Sequence, residues 1–325
     1  MTSLKAVRCT CKKWNVLSKD RIICAARKEF LGFMMMDSRV CWMKFDLQGI
    51  RNNTLVDISL YKASQTVRIQ PRNSFHRLDR YALGYDKNRN HKILRFVDDH
   101  LAVGEHVFGY EIYDFSSSSW RVLDVTPDWD IQFYQRGVSL NGNTYFFAQE
   151  KITEDGEYEE FEDFLLYFDF STERFEPRLP LPFHFYVLET VSLSSVRDEQ
   201  LAVLYQRLDS YEILDIWLTT KIEPSAVSWS MFLKLDMRPL TGFQFMVDGG
   251  SFFIDEEKKV AVVFDLTKHK QTVTRRYQTA YIIGQDGYFK PVSLGEAPYL
   301  GDPHELYCLP LVCPSYAPSL VQLYN

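Results

Sequence analysis

The stretch Tyr110 to Val125 constrains this chain most. It reads Tyr-Glu-Ile-Tyr-Asp-Phe, four serines, then Trp-Arg-Val-Leu-Asp-Val, a strand, a tight polar turn and a strand. Tyr110 and Ile112 fall on one face of the first strand, Tyr113 and Phe115 on the other. A hairpin lying on the surface of a sheet alternates apolar and polar positions. Apolar groups on both faces require packing above and below, as in stacked or radially repeated sheets.

The unit recurs. Leu165 to Phe170 leads into Ser171-Thr172-Glu173-Arg174 and then Phe175. In each copy an aromatic follows the aspartate by six residues (Trp120, Phe175). The same grammar, an apolar run reaching Asp and then an apolar residue, returns at Asp46, Asp215 and Asp265. From Asp114 onward these markers are 55, 46 and 50 residues apart, close to the roughly 50 residues of a kelch-type propeller blade. A short acid at a strand end accepts hydrogen bonds from the following turn.

Composition fits an all-β body. Of the 325 residues, 15% are aromatic, a class suited to pleated, half-buried surfaces. The net charge of −6 is uneven: residues 1–30 hold eight Lys or Arg against two acids, leaving −12 for the remainder. That balance argues against nucleic acid as the partner of the main domain. There is no apolar leader and no run approaching a membrane span. Six cysteines (9, 11, 24, 41, 308, 313) give no disulfide-rich density. The expectation is an intracellular chain, in cytoplasm or nucleus, with no membrane partner.

Along the chain, Leu4, Val7, Cys11 and Trp14 keep helical spacing, and Asp20 can cap a second helical turn. From Glu29 the pattern turns to β. Phe30 to Met36 and Val40 to Leu47 flank a turn, whereas 48–76 is polar and poorly patterned. Arg80 to Asp86 and Lys92 to Val97 form the next strand pair. Asn141-Gly142 between apolar runs is the strongest hairpin signal, because a type I′ turn needs positive φ at both centres. Residues 154–163 carry seven acids, read as a solvated loop. Leu179 to Pro182 is a stiff connector. Strands follow at Thr190 to Val196, Leu201 to Gln206, Tyr211 to Thr219, Ser228 to Phe232, Gly249 to Ile254, Lys259 to Leu266, Tyr281 to Gly284 and Tyr288 to Lys290.

Two parts of the chain resemble a known family. Arg8-Cys9-Thr10-Cys11-Lys12-Lys13-Trp14, running on to Leu17, resembles the C-terminal part of an F-box. Residues 77–175 and the tail Leu311 to Val321 resemble the F-box-associated domain, type 1, of the large plant group that joins the two modules. The family's Cys-Asp-Gly-Leu-Leu-Leu strand and Trp-Asn-Pro turn are missing before Gln65-Thr66-Val67-Arg68-Ile69-Gln70-Pro71, as if one hairpin were deleted. The first half of the F-box, with its Leu-Pro-x-(Glu/Asp)-Leu motif, is also missing. The resemblance implies residues 1–29 as a truncated F-box remnant and 30–325 as the associated domain. It implies a substrate-recognition subunit of an SCF-type ubiquitin ligase, with a Skp-linker protein and an unknown protein substrate as partners. Val7, Cys11, Trp14 and Leu17 are then candidate linker contacts, or they pack against Phe30 to Met36. A ligase-independent binding module, or a truncated non-functional paralogue, is the competing reading.

No catalytic or cofactor motif appears: no glycine-rich phosphate loop, no His-Glu-x-x-His, no nucleophile elbow. The seven histidines are scattered, and the close cysteine pairs lack zinc spacing. The chain is read as a non-catalytic adaptor with no cofactor or metal. The expected body is five or six small antiparallel sheets in a distorted or incomplete β-propeller-like, kelch-like domain, behind a short helical segment. Binding surfaces of such bodies lie on connecting loops. Trp129, Tyr134 and Arg136 occupy one such connection and are candidate substrate anchors, or they cover the core edge.

Overall fold

The computed structural model describes residues 79–99, 107–132, 135–151, 162–184, 189–197, 199–207, 213–238, 245, 251–268 and 276–296, with strand segments 30–36, 39–46, 57–62 and 311–313. The expected helical segment in residues 1–29 lies outside the described residues. The described residues contain strands and turns and no α-helix.

Among the described residues the strands form five antiparallel sheets. Sheet I joins β1 (Phe30–Met36), β2 (Arg39–Asp46) and β3 (Asp57–Lys62) to β22 (Leu311–Cys313) from the far end of the sequence, in the order β22-β1-β2-β3. Sheet II runs β4 (Arg80–Tyr85), β5 (His91–Asp99), β6 (Val107–Asp114) and β7 (Ser119–Leu123). Sheet III contains β8 (Trp129–Asp130), β9 (Val138–Leu140), β10 (Asn143–Glu150), β11 (Asp163–Asp169), β12 (Arg174–Phe175) and β13 (Leu179–Pro180). Sheet IV runs β14 (Thr190–Val196), β15 (Gln200–Gln206), β16 (Ile213–Glu223) and β17 (Ala226–Asp236). Sheet V runs β18 (Phe252–Asp255), β19 (Val260–Lys268), β20 (Arg276–Gly284) and β21 (Phe289–Glu296). Six strands in sheet III amount to four rows. β8 and β9 share one edge of β10, and β12 and β13 share the outer edge of β11.

Sheets II to V follow one another in chain order. The first row of each lies against the first row of the next, β4 against β9, β9 against β14 and β14 against β18, and β10 in the second row of sheet III also meets β4 and β14. With small sheets adjoining through their first rows, the body is β-propeller-like, as the apolar patterning on both faces requires.

Alternation explains the packing. In β11 the even positions Phe164, Leu166 and Phe168 face sheet II, in one cluster with Leu94, Phe96, Tyr110 and Ile112. The odd positions Leu165 and Tyr167 face sheet IV, with Val191, Leu201, Val203 and Tyr205. Sheets IV and V share a third cluster through Leu204, Leu214, Ile216, Phe252, Val263 and Tyr281. Within the first cluster, Phe96 stacks on Tyr110 at 5.5 Å between centroids, and Phe168 meets Phe175 edge-on at 5.1 Å.

Side chains also bond sheets to their neighbours. The Ser139 hydroxyl donates to the Leu83 carbonyl (2.6 Å), Ser194 to Phe252 (2.6 Å) and the Trp229 indole N–H to Pro180 (2.9 Å). The Tyr167 hydroxyl donates to Pro224 at 3.3 Å, and burial pushes its phenol up to about 12, so it stays a donor at any moderate pH.

The Asn141-Gly142 turn has φ of 51° and 90°, the all-positive geometry of type I′. Its placement matters beyond the hairpin, because the Tyr85 N–H donates to the Gly142 carbonyl at 3.0 Å. A Cβ on Gly84 would come within 2.2 Å of the Phe170 ring, so sheets II and III approach there as glycine alone allows.

The marker aspartates divide into two kinds. Asp114 and Asp169 end the third rows of sheets II and III and accept the N–H of Ser116 (2.8 Å) and Ser171 (2.7 Å). Asp215 and Asp265 instead lie inside β16 and β19. β3 is a strand where 48–76 read as unpatterned.

Phe168, fully buried, is expected to cost about 3–5 kcal/mol as Phe168→Ala. Gly142→Ala, strained at φ 90° and within 2.6 Å of the Tyr85 ring, is expected to cost about 1–3 kcal/mol. Urea titrations of both variants measure these losses.

Candidate functional site

Three turns from sheets II and III meet at one edge of the body. Asp86 to Asn90 joins β4 to β5, Asn141-Gly142 joins β9 to β10, and Phe170 to Glu173 joins β11 to β12. Between them is an open cleft of about 360 Å³ lined by Tyr85, Asp86, Lys87, Arg89, Asn141, Asn143, Asp169 and Ser171.

Each turn is self-braced. The Asp86 carboxylate accepts the N–H groups of Asn88 (2.8 Å) and Asn90 (2.9 Å) on one oxygen, and the Asn90 side-chain amide (3.0 Å) on the other. Burial pushes the Asp86 carboxyl up, but these bonds outweigh it and hold it below the usual 3.8. Hydrogen bonds from Ser116 hold Asp114 below its usual range in the same way. Between turns, the Lys87 N–H donates to the Ser171 hydroxyl at 2.9 Å.

Beneath the cleft lies the buried Lys92 ammonium, 2.7 Å from Glu173, 3.3 Å from the Phe170 carbonyl and 3.9 Å from Asp86. Glu173, at φ 57°, also takes Arg121. A buried cation held by an acid and a carbonyl of the neighbouring sheet fixes the registry of the two turns. The Arg89 guanidinium lies 4.4 Å over the Tyr85 ring, a stacked cation near the surface.

The cleft offers amide, ammonium, guanidinium and phenol groups. Its two carboxylates, Asp86 and Asp169, accept from their own turns. Lys87 and Arg89 offset Asp86 and Asp169, so the formal charge is zero. Nothing in this arrangement pairs a nucleophile with a base. Among the described residues no group of three His, Cys, Asp or Glu could hold a metal ion.

The residues singled out in the sequence are placed differently. Val7, Cys11, Trp14, Leu17 and Tyr134 lie outside the described residues. Arg136 is exposed before β9. Trp129 is 7% exposed and packs on Phe175 at 4.5 Å and edge-on to Tyr110. Of its two readings the core role is the one its position gives it, because β8 pairs inward with Gln149 and Glu150 of β10. The acids of 154–161 lie outside the described residues, while Glu162 pairs with Arg178. Lys87, Arg89, Asn143 and Ser171 were not singled out as a site. Their turns are readable one by one, but their meeting depends on which sheets are neighbours.

Loss of the Lys92 cation leaves Glu173 half-compensated, and Lys92→Met is expected to cost about 2–3 kcal/mol, read by chemical denaturation. Asp86 and Asp114 have lowered carboxyls, so the stability they contribute is complete above their unfolded value near 3.8 and is lost as pH falls below it. Thermal melts between neutral pH and about pH 2.5 are expected to show that loss, with a shallower slope in Asp114→Asn.

Comparison with known proteins gives a consistent result. Residues 61–323 match the F-box associated beta propeller domain. A putative F-box protein of Arabidopsis thaliana is 58% identical, covering 99% of this chain and 95% of the relative. An F-box/kelch-repeat protein of the same plant is 53% identical over 99% and 92%, and a further F-box protein is 50% identical over 100% and 95%. The first alignment runs over 369 positions against the 325 residues of this chain, so 44 or more positions of the relative face gaps here. Among solved structures, an endo-arabinase from Bacteroides thetaiotaomicron superposes with a TM-score of 0.40 at 12% identity, over 74% of this chain and 95% of the enzyme.

Proposed function

Because this chain belongs to the family that carries the F-box associated beta propeller domain, we propose that it is a non-catalytic substrate-recognition subunit of an SCF-type ubiquitin ligase, resident in cytoplasm or nucleus. Such a subunit raises the effective concentration of substrate lysines near a charged enzyme held elsewhere on the scaffold. Residues 1–29 serve as the linker-binding segment, with Val7, Cys11, Trp14 and Leu17 facing a Skp-linker protein, and residues 30–325 hold the substrate.

The observation that carries this reading is the family match together with a polar turn cleft that lacks the pairing catalysis needs. A rigid body with self-braced turns suits protein recognition, since little ordering entropy is lost when a partner docks. The turn edge with Lys87, Arg89 and Tyr85 is the proposed substrate surface, and the exposed Arg136, before β9, is a separate candidate contact.

Calorimetry with a purified Skp-linker protein tests the proposal, beside a version with a complete F-box fused ahead of Met1. Micromolar binding by the native chain, weakened about tenfold or more in Trp14→Ala, is the expected result. If only the fused version binds, the chain is a ligase-independent binding module.

A further inference from the structure

The charged groups of the turn cleft are not equally available. The Asp86 carboxylate accepts three hydrogen bonds from its own turn, using both oxygens, and has the buried Lys92 ammonium 3.9 Å away. Asp169 accepts the Ser171 N–H at 2.7 Å. The cations stand otherwise. Lys87 and Arg89 are both exposed. Among the described residues the Lys87 ammonium has no hydrogen-bond or ion-pair partner, and the Arg89 guanidinium has only the Tyr85 ring, 4.4 Å from it. Stacking on a ring leaves the N–H edge of a guanidinium able to donate in its own plane.

The charge beneath the cleft adds to this. Lys92 is bonded to Glu173, which also takes Arg121. With these groups included, three acids (Asp86, Asp169, Glu173) face four cations (Lys87, Arg89, Lys92, Arg121), a local +1 in a chain of net charge −6. Arg89 also stands at φ 65°, in the left-handed region, where Asn costs less than a long side chain. Turn geometry alone therefore does not call for an arginine there.

We propose that the cleft takes an acidic side chain, the carboxylate of a Glu or Asp, from a peptide segment of the substrate, held by Lys87 and Arg89. This names the substrate chemistry of the turn edge and rests on the reading of that edge as the substrate surface. A carboxylate can accept paired N–H bonds from a guanidinium and a further bond from an ammonium. Its single charge matches the local +1. A dianionic phosphate exceeds it and meets the charges of Asp86 and Asp169. The volume of about 360 Å³ lies at the low end of the roughly 300–1,000 Å³ of ligand pockets, which suits a side chain. The turns that carry the donors are braced before a ligand arrives, by Asp86 within its own turn and by Lys92 between sheets, so little ordering opposes binding.

Fluorescence anisotropy on the full chain is the test. The probe is a labelled peptide of alternating Glu and Gly, about eight residues long, beside versions with Gln, Lys or phosphoserine in place of Glu. The expected result is saturable binding of the Glu peptide below about 1 mM, at least tenfold tighter than the Gln version and weaker as salt rises from about 50 to 300 mM. Lys87→Gln and, separately, Arg89→Asn are expected to weaken it about tenfold. Asn tolerates the left-handed backbone, and melts matching the native chain's establish that both variants fold. Lys221→Gln, at an exposed cation of sheet IV, is expected to leave binding unchanged. A Gln version bound as tightly, and still weakened by Arg89→Asn, overturns the acidic class while the turn edge stands as a recognition surface. A Lys version bound as tightly as the Glu peptide, or a phosphoserine version bound tenfold tighter, overturns it as well. No binding of any version, or binding indifferent to both substitutions, overturns the proposal and removes the turn edge as the substrate surface.

Discussion

A sheet with apolar side chains on both faces is stable only between two neighbours, and this single constraint organises the protein. β11 illustrates it. Phe164, Leu166 and Phe168 are buried against sheet II while Leu165 and Tyr167 are buried against sheet IV. Each strand of this kind ties three sheets together, so sheets II to V form a linked series. Among the hydrogen bonds that cross the sheet boundaries are those from hydroxyl and indole donors to backbone carbonyls, at Ser139, Ser194 and Trp229. Apolar area supplies the driving force, and these bonds fix how neighbouring sheets align, since a buried polar atom misplaced by a residue is left unsatisfied.

The same constraint accounts for the candidate site. Because sheets II and III must lie face to face, their turns emerge together at one edge, and the cleft between Asp86, Asn141 and Ser171 is a consequence of that packing. The buried Lys92, bridging to Glu173 and the Phe170 carbonyl, sets the turns relative to each other. The result is a polar edge, braced by its own turns, on an apolar body.

Much of the fold was legible in the chain. Apolar residues on both faces of Tyr110 to Phe115 announced stacked sheets, and Asn141-Gly142 announced its turn because few other pairs tolerate two positive φ values. The spacing of marker aspartates was less faithful. Asp114 and Asp169 cap turns, but Asp215 and Asp265 are mid-strand, because an apolar run containing Asp looks the same in either place. β3 escaped notice because Ile58 and Leu60 alternate over only six residues. The site was legible in pieces: every turn had its Asp, Asn, Ser or Gly, but nothing local tells which turns become neighbours. Trp129 looked like a loop aromatic because the short pairing of β8 with the end of β10 leaves no periodic signal.

Native-state hydrogen exchange tests the linked series most directly. If each sheet depends on its neighbours, the slowest amides of β5, β10, β15 and β19 share one opening free energy, equal to that of global unfolding, and fall together when Phe168 is truncated. If instead each sheet exchanges at its own lower free energy, and the Phe168 variant alters sheets II and III while sheet V is unmoved, the sheets are independent units and the account is wrong.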